Sequence, residues 1–185
     1  MVQINTDGTV HPGFVEKNRA IAGGEVQYKP YPDGLELHML KRAVHIIDRN
    51  IYRKNVACSR YFKTLNPDSP LSFDDVWGDK DVWINLDPRS IADFNGFNAN
   101  SKPKEITIAA RSYRRNVWFV VAVVVHELAH VAGAPAEGFK TNPNWDAAEK
   151  SLLHCGLRTF YHLDERTTAM SEGPPPAVDL ESAPG

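Results

Sequence analysis

Apolar residues recur at helical or strand spacing in several separate stretches, and these stretches predict the regular elements of the chain. Steps of three and four residues between Leu35 and Arg53 predict an amphipathic helix, and residues 55–65 predict a second one. Short β-rich runs predict strands at 25–28, 82–86 and 105–110. Residues 66–70 and 87–103 are rich in Asn, Asp, Pro and Gly and are expected to be loops.

The most apolar part of the chain is the run 117–125, which leads directly into the sequence His-Glu-Leu-Ala-His. It predicts a helix over 116–132, with Asn116 as its N-cap and Gly133-Ala134-Pro135 as its end. The run is much shorter than the roughly 20 residues that cross a bilayer. We therefore expect a buried central helix and no stable membrane insertion.

A last helix is predicted from Asn144 to Tyr161, where Asn142-Pro143 supplies a cap and a proline that the first turn tolerates. Residues 171–185 have the composition of a disordered tail. The elements together predict an α+β fold, mainly helical, with a small β-sheet packed against the central helix. We expect one domain, residues 1–170, followed by the tail.

Composition excludes some classes of function. The chain has 185 residues, 42% of them hydrophobic, and a formal net charge of −2, which gives no indication of a nucleic-acid partner. Cys58 and Cys155 are too few for a disulfide scaffold, and both a single bridge and two buried thiols stay open. The N-terminus shows no signal peptide, so we expect either a cytoplasmic protein or export by a signal-independent route.

Three residues near the end of the central helix carry the chemistry. His126 and His130 are four residues apart, so they share one helix face and can bind one metal ion, while Glu127 can handle a proton. A catalytic zinc ion usually has a third protein ligand. Glu149 follows His130 after 18 intervening residues and points to the apolar side of the last helix. A buried carboxylate there is costly unless it is paired, protonated or bound to metal.

The spacing His-Glu-x-x-His-x18-Glu resembles that of the gluzincin branch of the zincin metallopeptidases. The resemblance extends from the motif helix through the last helix, and it implies a zincin-like domain that binds Zn²⁺ and hydrolyses peptide or protein substrates. In this family the motif glutamate, here Glu127, is the general base, and the third ligand would be Glu149. The aspartate often found four residues after that glutamate is replaced here by Leu153. Compact zincins without a signal peptide are often secreted effectors or toxins.

The sequence contains other candidates for the third ligand, and two other families share the His-Glu-x-x-His motif. The alternative ligands are Asp146, Glu137, His154 and Cys155. Of these, Asp146 is expected to be an outer partner of a ligand histidine. A metzincin would need histidine where Ala136 stands, and a peptide deformylase would need Gly-Cys-Leu where Cys58 lies in Ala-Cys-Ser-Arg.

Two further expectations concern the substrate and the role of the metal. The strand 106–110 precedes the motif helix, and in zincins such a strand commonly pairs with an extended substrate. The candidates for stabilising the oxyanion are Tyr113, His154, Tyr161 and His162. The alternative function is a non-catalytic binding module stabilised by zinc, in which His154 or Cys155 would close the site as a fourth ligand.

Overall fold

Five α-helices and six short strands form the part of the chain that the computed structural model describes, residues 1–9, 11, 19–21, 24–89, 96–99, 104–135 and 146–161. The helices are α1 (Leu35–Asn50), α2 (Val56–Phe62), α3 (Phe73–Gly78), α4 (Val117–Val131) and α5 (Ala147–His154). The strands are β1 (Gln3–Ile4), β2 (Arg19–Ile21), β3 (Gly24–Val26), β4 (Val82–Asp87), β5 (Gly96–Ala99) and β6 (Lys104–Ala109). The fold is α+β, as the sequence predicts.

Four strands form the main sheet, in the order β1-β4-β6-β5. Strands β1, β4 and β6 run parallel, and β5 pairs antiparallel with β6. Strand β6 is therefore hydrogen-bonded on both sides, to β4 and to β5, over most of its length. The prediction that residues 106–110 pair with a substrate is wrong, because this strand has no open edge. Within the described sheet, the edge strand next to α4 is β5.

Helix α4, the predicted motif helix, forms the centre of the fold. The Asn116 side chain caps it by accepting a hydrogen bond of 3.0 Å from the backbone N–H of Phe119. Every residue from Phe119 to Val131 is buried. The helix packs against α1, against α5 and against strands β5 and β6 of the sheet, as predicted for a buried central helix. Among the described residues, no helix is both long and apolar enough to span a membrane.

Strand β4 is buried on both faces. One face of β4 joins the hydrophobic core through Val82, Ile84 and Leu86. The other face carries Asn85, whose amide accepts a hydrogen bond of 2.8 Å from Asn5 and donates one of 2.6 Å to Glu105. His11 lies 2.9 Å from the same carboxylate of Glu105. The N-terminal segment thus covers a polar sheet face whose groups are paired with one another.

Two predicted helices have different bounds in the structure. Helix α2 begins after Asn55, whose side-chain oxygen accepts a hydrogen bond from the N–H of Cys58, and it ends at Phe62 and not at residue 65. Helix α5 ends at His154 and does not reach Tyr161, because Gly156 takes a positive φ of 83° and a 3₁₀ turn follows at Arg158–Phe160. The predicted start of this helix at 142–145 and the tail 171–185 lie outside the described residues.

Strands β1, β2 and β5 and helix α3 were not predicted. Strand β5 lies in the region 87–103, which was expected to be a loop, and exists through its pairing with β6. Helix α3 begins with a capping box, in which the Ser72 hydroxyl accepts a hydrogen bond from the N–H of Asp75 and the Asp75 carboxylate accepts one from the N–H of Ser72. The Asp75 carboxylate also accepts a hydrogen bond of 2.6 Å from the Ser72 hydroxyl, and this bond, with that from the Ser72 N–H, holds the pKa of Asp75 below its usual value.

The capping box gives a stability prediction. We expect Ser72→Ala to lower the free energy of unfolding by about 1 kcal/mol. The backbone N–H and the carboxylate of Asp75 would both lose the Ser72 hydroxyl as a hydrogen-bond partner. Urea denaturation of the two proteins at pH 7 measures the difference, with Ser72→Thr as a control that keeps the hydroxyl. Since the pKa of Asp75 is lowered, the contribution should be present at neutral pH and disappear as the pH falls through that pKa. A Ser72→Ala variant as stable as the wild type would contradict the prediction.

Candidate metal centre

The C-terminal half of α4 places both motif histidines in contact. His126 and His130 are buried, and their Nε2 atoms lie 3.2 Å apart. Their ring centroids are 5.0 Å apart, with the planes at 69°. This is the same-face arrangement that the four-residue spacing predicts. Glu127, also buried, follows His126 on the same helix.

The other nitrogen of His130 has a defined partner. Its Nδ1 atom lies 3.2 Å from the backbone carbonyl oxygen of Ala134. A carbonyl oxygen only accepts, so this contact favours a proton on Nδ1. Burial, with a further contribution from the neighbouring His126, lowers the pKa of His130 to about 4. At neutral pH this imidazole is therefore uncharged, and its Nε2 atom faces that of His126.

Helix α5 brings Glu149 to the same place. Its carboxylate is buried, and Oε1 lies 3.3 Å from Nδ1 of His126. The structure thus brings together His126, His130 and Glu149, the three predicted ligands. The contact of the carboxylate is with the Nδ1 atom of His126. Among the residues that the structure describes, no three His, Cys, Asp or Glu side chains are arranged as a complete metal site.

The two histidines nevertheless fit a zinc ion. Two ligand nitrogens on a tetrahedral zinc ion, with bonds of about 2.0–2.1 Å, are about 3.3 Å apart, and the two Nε2 atoms are separated by 3.2 Å. Each Nδ1 faces an oxygen acceptor, the Ala134 carbonyl or the Glu149 carboxylate, which favours a proton on that nitrogen. The two Nε2 atoms face each other, and a cation bound between them would be held by both rings.

Two of the alternative acidic ligands are accounted for. Asp146 precedes α5, and its carboxylate is paired with Lys150 at 2.9 Å. The carboxylate that contacts a motif histidine is that of Glu149, so the expected role of Asp146 as the outer partner is wrong. Glu137 lies outside the described residues.

The candidate fourth ligands are also placed. Cys155 forms a disulfide bond with Cys58, which removes its thiolate as a ligand and answers the question that the sequence left open. His154 is exposed and stacks on the ring of Tyr61, with centroids 4.2 Å apart. Neither residue is therefore in a position to close a four-ligand site around His126.

Of the four oxyanion candidates, Tyr113 is excluded. Its hydroxyl lies in the core, 2.6 Å from the hydroxyl of Tyr31, and burial raises the pKa of both tyrosines. His154 is occupied by its stacking on Tyr61, as described above. Tyr161 is partly buried at the end of the last 3₁₀ turn, and His162 lies outside the described residues.

Tyr61 is a residue whose importance the sequence did not reveal. Its hydroxyl donates a hydrogen bond of 2.9 Å to the carbonyl of Ala147, at the start of α5. Burial raises the pKa of Tyr61 to about 12, so the hydroxyl stays protonated and able to donate at neutral pH. Together with the disulfide, Tyr61 fixes α5 against α2, and α5 presents Glu149 to α4.

Comparison of the chain with protein-family models, with curated proteins and with solved structures finds no match. Function is therefore inferred from the chemistry and geometry of the residues themselves.

Proposed function

We propose that the chain is a zinc-dependent metallopeptidase. His126, His130 and Glu149 hold the zinc ion, and Glu127 is the general base. The observation that carries this proposal is the pair of buried Nε2 atoms 3.2 Å apart, with the Glu149 carboxylate in contact with the His126 ring. Two imidazoles at this separation can chelate a metal ion, and a glutamate stands directly beside them in the sequence.

The chemistry divides between the metal and the protein. Zinc supplies Lewis acidity, which polarises a peptide carbonyl and makes water nucleophilic near neutral pH. The Glu127 carboxylate takes a proton from the attacking water as the new C–O bond forms. Glu127 then delivers this proton to the amine nitrogen as the C–N bond breaks, so the carboxylate is regenerated.

Strand β5 is our candidate for the element that binds the peptide. It is the end strand of the described sheet and packs against α4, the helix that carries the motif. An extended peptide can add to such an edge through backbone hydrogen bonds, which require no particular sequence. This replaces the predicted role of the central strand β6.

The disulfide supports a further part of the proposal, that the peptidase acts outside a reducing cytoplasm as a secreted effector or toxin. Cys58 and Cys155 are both buried and bonded to each other. Disulfides of this structural kind persist in oxidising environments and are rare in the cytosol. The non-catalytic module is less well supported, because neither Cys155 nor His154 is placed to complete a closed site.

Removal of the third ligand tests the metal site. We expect Glu149→Ala to lower the affinity for zinc by more than about 100-fold, because the loss of an outer partner alone typically costs only 10–100-fold. The affinity is measured by competition with a chromophoric chelator, after circular dichroism has shown that the variant is folded. The matched control is Asp146→Ala, which removes a carboxylate from the same end of α5 and should leave the affinity unchanged. A loss of only about 10-fold for Glu149→Ala would make Glu149 the outer partner of His126.

A further inference from the structure

The turn after α4 does more than end the helix. Gly133 has a positive φ of 110°, and its N–H donates to the carbonyl of His130 at 2.9 Å. The N–H of Ala134 donates to the carbonyl of Ala129, also at 2.9 Å. These two bonds form a Schellman motif, which reverses the chain over the last turn of the helix. The reversal brings the carbonyl of Ala134 to Nδ1 of His130.

Gly133 and Pro135 fix the backbone of this turn. A Cβ atom at Gly133 would lie 2.6 Å from Cβ of Asn66, so the loop that follows α2 packs closely on the glycine. Ala134 precedes Pro135, and a residue before proline is restricted to extended conformations. This restriction limits the directions in which the Ala134 carbonyl can point. The contact with His130 is therefore built from backbone geometry and does not depend on a second side chain.

We propose that the turn Gly133-Ala134-Pro135 is a positioning element for His130. Through the Ala134 carbonyl it holds the imidazole as the Nδ1–H tautomer, with Nε2 directed at His126. The consequence for zinc affinity rests on the proposed function, but the tautomer is a property of the metal-free protein. Sequence patterns explain Gly133 and Pro135 only as a helix stop, and their link to a histidine ring emerges from the fold.

The tautomer is tested first in the metal-free wild-type protein. Long-range ¹H–¹⁵N correlation spectra of histidine-labelled protein distinguish the two neutral tautomers, and the His130 signals are assigned by their loss in His130→Gln. We expect His130 to carry its proton on Nδ1. A predominantly Nε2-protonated His130 would overturn the proposal, whatever the protein does with zinc.

The turn itself is tested with a double variant. Gly133→Ala alone would collide with Asn66, so it is combined with Asn66→Gly, and Asn66→Gly by itself is the control. Alanine does not favour a φ of 110°, so we expect the turn to rearrange and the Ala134 carbonyl to leave His130. The fraction of the Nδ1–H tautomer should fall, and zinc affinity should fall about 10–100-fold, whereas the control keeps both.

The outcomes separate this inference from the proposed function. If the double variant keeps the wild-type tautomer and affinity, the turn does not position His130. If the tautomer changes as expected but the wild type binds no zinc, the positioning is correct and the metallopeptidase proposal fails. If the double variant does not fold, Pro135→Ala replaces it, since it loosens only the residue before the proline. A smaller loss of the Nδ1–H tautomer is then expected, and an unchanged tautomer contradicts the proposal.

Discussion

Replacement of Glu127 by glutamine is expected to abolish peptide hydrolysis while zinc binding and folding stay intact. General-base catalysis typically contributes about 10²–10⁴-fold to a rate, and glutamine cannot accept the proton of water. The two side chains have nearly the same size, so the buried position on α4 keeps its packing. The measurements are the rate of cleavage of an unfolded protein substrate, the zinc content and the thermal midpoint of each protein.

The control for this variant is Glu36→Gln, the same exchange on α1, outside the motif. It should cleave at the wild-type rate. If Glu127→Gln also cleaves at the wild-type rate, Glu127 is not the base. If the wild type binds one zinc ion but cleaves no substrate, the non-catalytic module becomes the better interpretation.

The central helix was predicted closely because its signals are local. The structure places the cap at Asn116, the helix over Val117–Val131 and the reversal at Gly133, as expected from the sequence. The polar N-cap, the continuous apolar run and the C-terminal glycine each determine the conformation of only a few nearby residues. The helix they predict therefore does not depend on contacts with other elements. The facing of His126 and His130 follows from helix geometry alone.

The elements that were missed depend on contacts between distant residues or are very short. Strand β5 exists because β6 lies beside it, and its sequence alone is typical of a loop. Helix α3 has a local signal, Ser72 three residues before Asp75, which a search for capping boxes would have found. The burial of both faces of β4 depends on the N-terminal segment, whose position no periodicity predicts.

In the candidate site, the sequence spacing predicted which residues lie close together. It did not predict which of their atoms are in contact. The contact of Glu149 with Nδ1 of His126 depends on the relative rotation of α4 and α5, which the spacing does not determine. The bond from His130 to a backbone carbonyl belongs to no side-chain pattern. The pairing of Cys58 with Cys155, 97 residues apart, depends on the whole fold.

That disulfide leads to the second large expected effect. Cys58→Ala combined with Cys155→Ala should lower the free energy of unfolding by about 2–5 kcal/mol, because the bond closes a long loop and restricts the unfolded chain. The loop spans 97 residues. Alanine leaves no unpaired hydroxyl in either buried position. Urea denaturation at neutral pH measures the loss, and wild-type protein treated with reductant should unfold at nearly the same urea concentration as the double variant.

The effect should also reach the metal centre. The disulfide joins α2 to the residue that ends α5, and Tyr61 joins α2 to the start of α5. With the disulfide removed, the hydrogen bond from Tyr61 still joins α2 to α5. We expect Glu149 to be held less firmly against His126. We therefore expect the double variant to bind zinc more weakly than the oxidised wild type under conditions in which both are folded. Equal affinities would show that α4 holds Glu149 without help from α2, and would confine the disulfide to stability.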